Sequence, residues 1–173
     1  GVALYGDIEV ATVVAQGCRP VGEPLVITRC EKNLLVELNG EPAVGQLERI
    51  FAEMDIDDQA LFRSLPMVGL GMEKGRGSYR PGDFLVRHLM GMDRNNGVLA
   101  VGALMDEGQV VQFHVRDADS SRADLEELLT QHSRIHAVDQ AEGALLFSCL
   151  GRGERFFGVP DHDSGMATRY LGG

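Results

Sequence analysis

FLVRHLMGMDRNNGVLAVGALMDEGQVVQFHVR, running from Phe84 to Arg116, holds three apolar runs separated by two glycine-closed turns. The runs are Phe84 to Met90, Val98 to Leu104 and Gln109 to Arg116. Asn95-Asn96-Gly97 and Asp106-Glu107-Gly108 have the chemistry of hairpin turns, where glycine supplies the positive φ that tight reversals require. An antiparallel meander is the expected result. In its last strand Val111, Phe113 and Val115 share one face, so Gln112, His114 and Arg116 share the other.

Upstream, Leu25 to Thr28 and Leu34 to Leu38 flank the polar turn Glu31-Lys32-Asn33 and end at Asn39-Gly40, a second meander. Ile8, Val10, Thr12 and Val14 alternate with period two, which predicts a half-buried strand. The segment Gly17 to Pro24 is dense in Gly and Pro and is expected to turn the chain. Leu65 to Met72 reads as a strand whose Gly69 and Gly71 mark a close approach to its backbone. A helix is expected from Pro42, with Val44, Leu47, Ile50, Phe51 and Met54 on one face, and a shorter one capped by Asp57.

Downstream, Ser120 or Ser121 opens a helix carrying Leu125, Leu128 and Leu129 inward, with Asp124 completing a variant capping box. The continuous run Ala144 to Leu150 predicts a strand buried on both faces. The fold class expected from this order is α/β in the α+β sense: layered, mixed, mostly antiparallel sheets with packed helices. Strands then helix occur twice, so two pseudo-repeated units are expected.

The chain has 173 residues, enough for a substantial core, and a net charge of −10. That acidity places nucleic acid and anionic membrane surfaces last among partners. No apolar run approaches the roughly 18 residues that cross a bilayer, and the start, Gly1-Val2-Ala3, lacks a basic signal-peptide region. A first residue other than Met suggests a trimmed chain whose ends need not be domain ends. Three Cys without ligand spacing fit thiols in a reducing cytoplasm, and no cofactor or metal is expected.

Cys149 is the leading site candidate because it falls where an apolar run meets the turn Gly151-Arg152-Gly153. Arg152 and Arg155 would lower its pKa and offer anion contacts there. Filling a core as a small thiol is the competing reading. Arg87 and Arg116, on central strands, each need a carboxylate, from Asp117 or from a ligand. Gly69-Leu70-Gly71 lacks the third glycine of a dinucleotide loop. Gly75-Arg76-Gly77 reads as a loop or the lip of a pocket. Asp161-His162-Asp163-Ser164 cannot form a triad from adjacent positions and is expected to be a turn with a helix cap at Ser164. His132 and His136 read as a solvated helix end.

Three strings carry a resemblance: Val14-Ala15-Gln16-Gly17-Cys18-Arg19-Pro20-Val21-Gly22, Phe113-His114-Val115-Arg116-Asp117-Ala118, and Gly143-Ala144-Leu145-Leu146-Phe147-Ser148-Cys149-Leu150-Gly151-Arg152-Gly153. With them the chain resembles the FIST family of paired FIST N and FIST C domains. The resemblance implies residues 1–40 as the C-terminal part of a FIST N-like unit and 41–173 as a FIST C-like domain, truncated at its end. It also implies a cytoplasmic sensory role without catalysis, binding a small amino-acid-like ligand, with a signalling protein as a further partner. The expected ligand contacts are Arg87, Arg116, Cys149, Gly151, Arg152 and Gly153. The alternatives are a protein-interaction scaffold and, third, an enzyme using Cys149 as nucleophile.

Overall fold

In the computed structural model the described residues are 1–73, 78–79, 82–135 and 143–171. Residues Gly75 to Gly77, expected as a loop or a pocket lip, and His136 lie outside them. The elements are β1 (Arg19–Glu31), β2 (Leu34–Leu38), β3 (Glu41–Pro42), α1 (Ala43–Glu53), α2 (Ile56–Ser64), β4 (Met67–Gly71), β5 (Phe84–Asp93), β6 (Val98–Val101), β7 (Val110–Val115), α3 (Ala118–Ile135), a 3-10 turn (Leu150–Arg152), α4 (Glu154–Phe157) and α5 (His162–Leu171). The fold is α+β with antiparallel strand pairing, as the sequence predicts. Two compact units divide the chain: residues 16–122, and residues 1–15 together with 123–173.

The first unit is a sheet that closes on itself. Its order is β1-β7-β4-β5-β6-β2-β3, and β1 also pairs with β2. Two long strands make closure possible by serving two partners each. β1 pairs with β7 through Arg19 to Val26 and with β2 through Ile27 to Glu31. β5 pairs with β4 through Phe84 to His88 and with β6 from Leu89 onward. Closure removes the exposed strand edges that would otherwise invite association.

The Gly and Pro of residues 17–24 therefore do not turn the chain. They bend β1: its register with β7 shifts between Val21 and Leu25, and Gly22 there has φ 68°. Ile50 fills the space where a side chain on Gly22 would stand, with its Cγ2 only 2.7 Å from a Cβ built there. A bulged strand needs the same residues as a turn, which is why composition alone misreads it.

The core joins strand residues Ile27, Leu35, Val68, Leu99, Val101, Val111, Phe113 and Val115 to helix residues Val44, Leu47, Ile50 and Phe62. Phe62 of α2 meets Phe113 edge-on at 6.0 Å. The helical face expected from Pro42 forms α1, although Pro42 caps it rather than entering it. For α2 the cap is Asp55, whose carboxylate accepts from the Asp58 amide at 2.8 Å, not Asp57.

The hairpins at Asn95–Gly97 and Asp106–Gly108 have their glycines at φ 71° and 79°. β5 and β6 pair as expected, but β7 lies between β1 and β4 instead of beside β6. Alternation identifies strands and faces, whereas partner order depends on which edges remain once the sheet closes. Gly69 and Gly71 do mark a close approach. A Cβ on Gly69 would overlap the His114 ring and stand 2.9 Å from Phe84 Cβ, and one on Gly71 would stand 2.9 Å from Tyr79 Cε1.

In the second unit, Leu125 and Leu129 of α3 and Met166 of α5 form a small cluster, with Val13, Ala15 and Tyr170 against it. Two expectations fail here. Residues 7–14 are not a strand, and Ile8, Val10 and Val14 are exposed. Residues 144–149 are not a doubly buried strand either, and Phe147 is 85% exposed. Both sequences have strand-like composition, but neither has a neighbouring strand among the described residues. α3 begins at Ala118, three residues before the expected capping box. Asp117 caps it, accepting from the Ser120 amide at 2.7 Å.

Candidate functional site

The turn Gly151-Arg152-Gly153 anchors the most concentrated polar arrangement of the second unit. Cys149 precedes the 3-10 turn, and its carbonyl accepts from the Arg152 amide at 2.9 Å. The short helix α4 follows and stops at Gly158, which takes the left-handed conformation at φ 73° that terminates helices. Asp161, at φ 52°, then turns the chain into α5. This hairpin of short helices returns Asp163 to Arg152.

Arg152 donates to Asp163 twice, from Nε at 2.6 Å and from Nη2 at 2.8 Å. Both side chains are only 8% exposed. Ser148 Oγ donates to the same carboxylate at 3.0 Å, and His162 Nδ1 lies 3.0 Å from its other oxygen. The guanidinium carbon sits 5.0 Å from the centroid of Phe157, against which the His162 ring stacks at 3.7 Å. Burial pushes the Asp163 carboxyl up, but the bonds from Arg152, His162 and Ser148 prevail and hold it at about 2. The pair is therefore ionised and fixed in position. Nη1 of Arg152 is buried and has no hydrogen-bond partner among the described residues. Such an atom is a standing demand for an acceptor.

Apolar residues just before this turn are exposed. Leu145, Leu146 and Phe147 are exposed, and Leu150 is fully so. A Cβ at Gly153 would meet nothing within 4 Å, so the turn has open space beside it. Cys149 is exposed, not a buried core thiol, and the three cysteines form no disulfide.

The structure brings Cys149, Gly151, Arg152 and Gly153 together on one turn. Arg87 and Arg116 belong to the other unit. Arg87 is half-buried on β5 and donates from Nη1 to the Val86 carbonyl at 2.9 Å. Arg116 follows β7 and is half-buried. Asp117, considered for Arg116, is bound to Arg19 instead: Nε of Arg19 donates to it at 2.9 Å. The same guanidinium donates from Nη1 to Asp58 at 2.9 Å and from Nη2 to the other Asp58 oxygen. Arg19 thus ties the first turn of α2 to the cap of α3. The Asp58 bond above all raises its pKa further above the ordinary guanidinium value, against the opposing effect of burial.

Asp163 is the residue that sequence reasoning missed. Read as one of four adjacent polar residues it looks like part of a turn, and Ser164 was expected as the cap. In the structure Ser164 lies inside α5, donating from Oγ to the Asp161 carbonyl at 3.1 Å, while Asp163 faces inward. Met166, three residues later, is buried on the same helix and was the available signal for an inward face.

His114 is a second buried polar group. Its Nδ1 donates to the Gln112 carbonyl at 2.9 Å, its ring meets Phe84 edge-on at 5.4 Å, and burial pushes its pKa down. Among the described residues no group of three or more His, Cys, Asp or Glu is placed to hold a metal ion, and no helix is long and apolar enough to cross a membrane.

Compared with known proteins, the chain matches the FIST C domain over residues 22–172 and the FIST N domain over residues 1–41. It is 38% identical, over all 173 residues, to an uncharacterized protein of Mycobacterium tuberculosis, 45% of whose length it covers. It is 36% identical over the same span to an uncharacterized protein of Mycobacterium bovis, covering 44% of that protein. The chain therefore spans less than half the length of these relatives. No solved structure matches it.

Proposed function

The chain belongs to the FIST family of sensory domains, and on that premise we propose that it binds a small anionic or zwitterionic metabolite, such as an amino acid, in cytoplasmic signal transduction. The observation that carries this reading is the unmet donor at Nη1 of Arg152 on a guanidinium already fixed by Asp163. Preorganisation of this kind lowers the cost of binding, since the side chain is ordered before the ligand arrives.

Because Asp163 neutralises Arg152, the ligand oxygen is recognised through hydrogen-bond geometry more than through net charge. A carboxylate or carbonyl oxygen at Nη1 would be supported by amides of the turn Gly151 to Gly153, with Arg155 supplying the net positive charge. Leu150 and Cys149, both exposed, would line the apolar side of the ligand. Arg87 and Arg116 remain proposed carboxylate contacts of the barrel unit.

The test is a thermal-shift screen of the chain against amino acids and related carboxylates. A ligand present at 100 times its Kd stabilises the folded state by about 2.7 kcal/mol, a readily measured shift. Arg152→Lys keeps the charge but removes Nη1, and it should abolish the response. A screen without a stabilising compound, or a variant that responds like the parent, refutes the reading.

A second reading, an adaptor that binds a signalling protein, is favoured by one observation: the exposed apolar run Leu145-Leu146-Phe147. Stoichiometric retention of one protein, lost in Phe147→Glu, would support it.

A further inference from the structure

We propose that residues 7–14 and 143–148, which are not strands in this chain, become strands by pairing with the part of the FIST N domain lying outside it. The backbone supplies the first observation. Neither segment belongs to a helix or a strand, and among the described residues none of their amides or carbonyls takes part in a backbone hydrogen bond. Strand-forming sequence with a bare backbone is a template for pairing.

Side chains supply the second. In the first segment Val13 packs with Ala15 on the cluster of Leu125, Leu129 and Met166, while the alternate residues Ile8, Val10 and Val14 stay exposed. The segment thus touches the helices at Val13, while residues 7–12 and Val14 are exposed. Leu145, Leu146 and Phe147 of the second segment are also bare. The cluster itself has three buried residues, too few to hold a unit of this size by hydrophobic burial alone.

The occupant follows from the domain matches. Residues 1–21 match FIST N alone, and that match is 41 residues long, short of an ordinary domain. Its strand residues from Arg19 onward are already spent on closing the barrel, through β1 and β2. A core for the remainder of FIST N must come from other polypeptide, and the relatives carry more than half of their length outside the matched stretch. Those FIST N residues are the partner.

Hydrogen exchange tests this proposal without reference to any ligand. In the 173-residue chain alone, amides 8–14 and 144–148 should exchange in the fastest class, and sedimentation should show a monomer. With the FIST N portion of the Mycobacterium tuberculosis relative fused before Gly1, the same amides should slow by about 100-fold or more. If the fusion does not fold, the measurement passes to the full-length relative at the aligned segments. Fast exchange there, or in a folded fusion, overturns the proposal. So does protection in the chain alone accompanied by dimerisation, which would make a second copy the partner.

Discussion

Arg152 and Asp163, eleven residues apart on opposite sides of a helical hairpin, meet through two parallel hydrogen bonds of 2.6 and 2.8 Å in a nearly buried setting. The pair holds the glycine turn to α5, so the proposed site and the local fold share one interaction. Removing one partner leaves the other charged and buried. Asp163→Ala should therefore cost about 3–5 kcal/mol, while Asp163→Asn, which keeps an acceptor, should cost less. Amide exchange along α5 measures the loss locally.

Acid should act on the same bond. The folded-state pKa of Asp163 lies at about 2, below its ordinary value of 3.8. A depressed carboxylate contributes stability that is complete above the ordinary value and lost as pH falls toward 2. Asp117 shifts in the same direction: burial pushes it up, but the bonds from Ser120 and Arg19 outweigh that. Circular dichroism between pH 5 and 2 should show a cooperative loss of helix, and Asp163→Asn should flatten the part of it that belongs to α5.

Arg19 predicts a coupled effect. Its guanidinium serves Asp58 and Asp117 together, and a lysine ammonium cannot make the forked contact. Arg19→Lys should cost about 1 kcal/mol, a small value because the side chain is 39% exposed. Amides in the first turns of α2 and α3 should speed up by the same factor. Acceleration in one helix alone would contradict the bridging role.

Gly69→Ala should destabilise the barrel by about 1–3 kcal/mol, since a methyl group there overlaps the His114 ring and Phe84 must also shift. The urea midpoint should fall. Gly153→Ala, with open space around the position, should leave it unchanged.

Most strands of the barrel were legible in the sequence, but its closure was not. Val111, Phe113 and Val115 fall on one face by alternation alone, and glycine marks the turns at Gly97 and Gly108 and the close approach at Gly69. What could not be read is how the strands join. A bulge at Gly22 looks like a turn until β7 is seen beside it, and no local pattern places β7 next to β4. The segments at Ile8 and Leu145 show the opposite limit, since alternation and apolar runs report a tendency to pair but not a partner. At the site, Cys149 and the glycine turn were visible as composition. Asp163 was not, because its role depends on a hairpin that brings α5 back to Arg152.

The most direct test of the central claim is NMR of the arginine side chains. In the chain alone the Arg152 Nε–H should exchange slowly with solvent, as a buried donor to Asp163 does. Addition of an amino acid that raises the melting temperature should move the Arg152 guanidinium resonances and leave Arg19 in place. Stabilisation with the Arg152 signals unmoved would contradict the account.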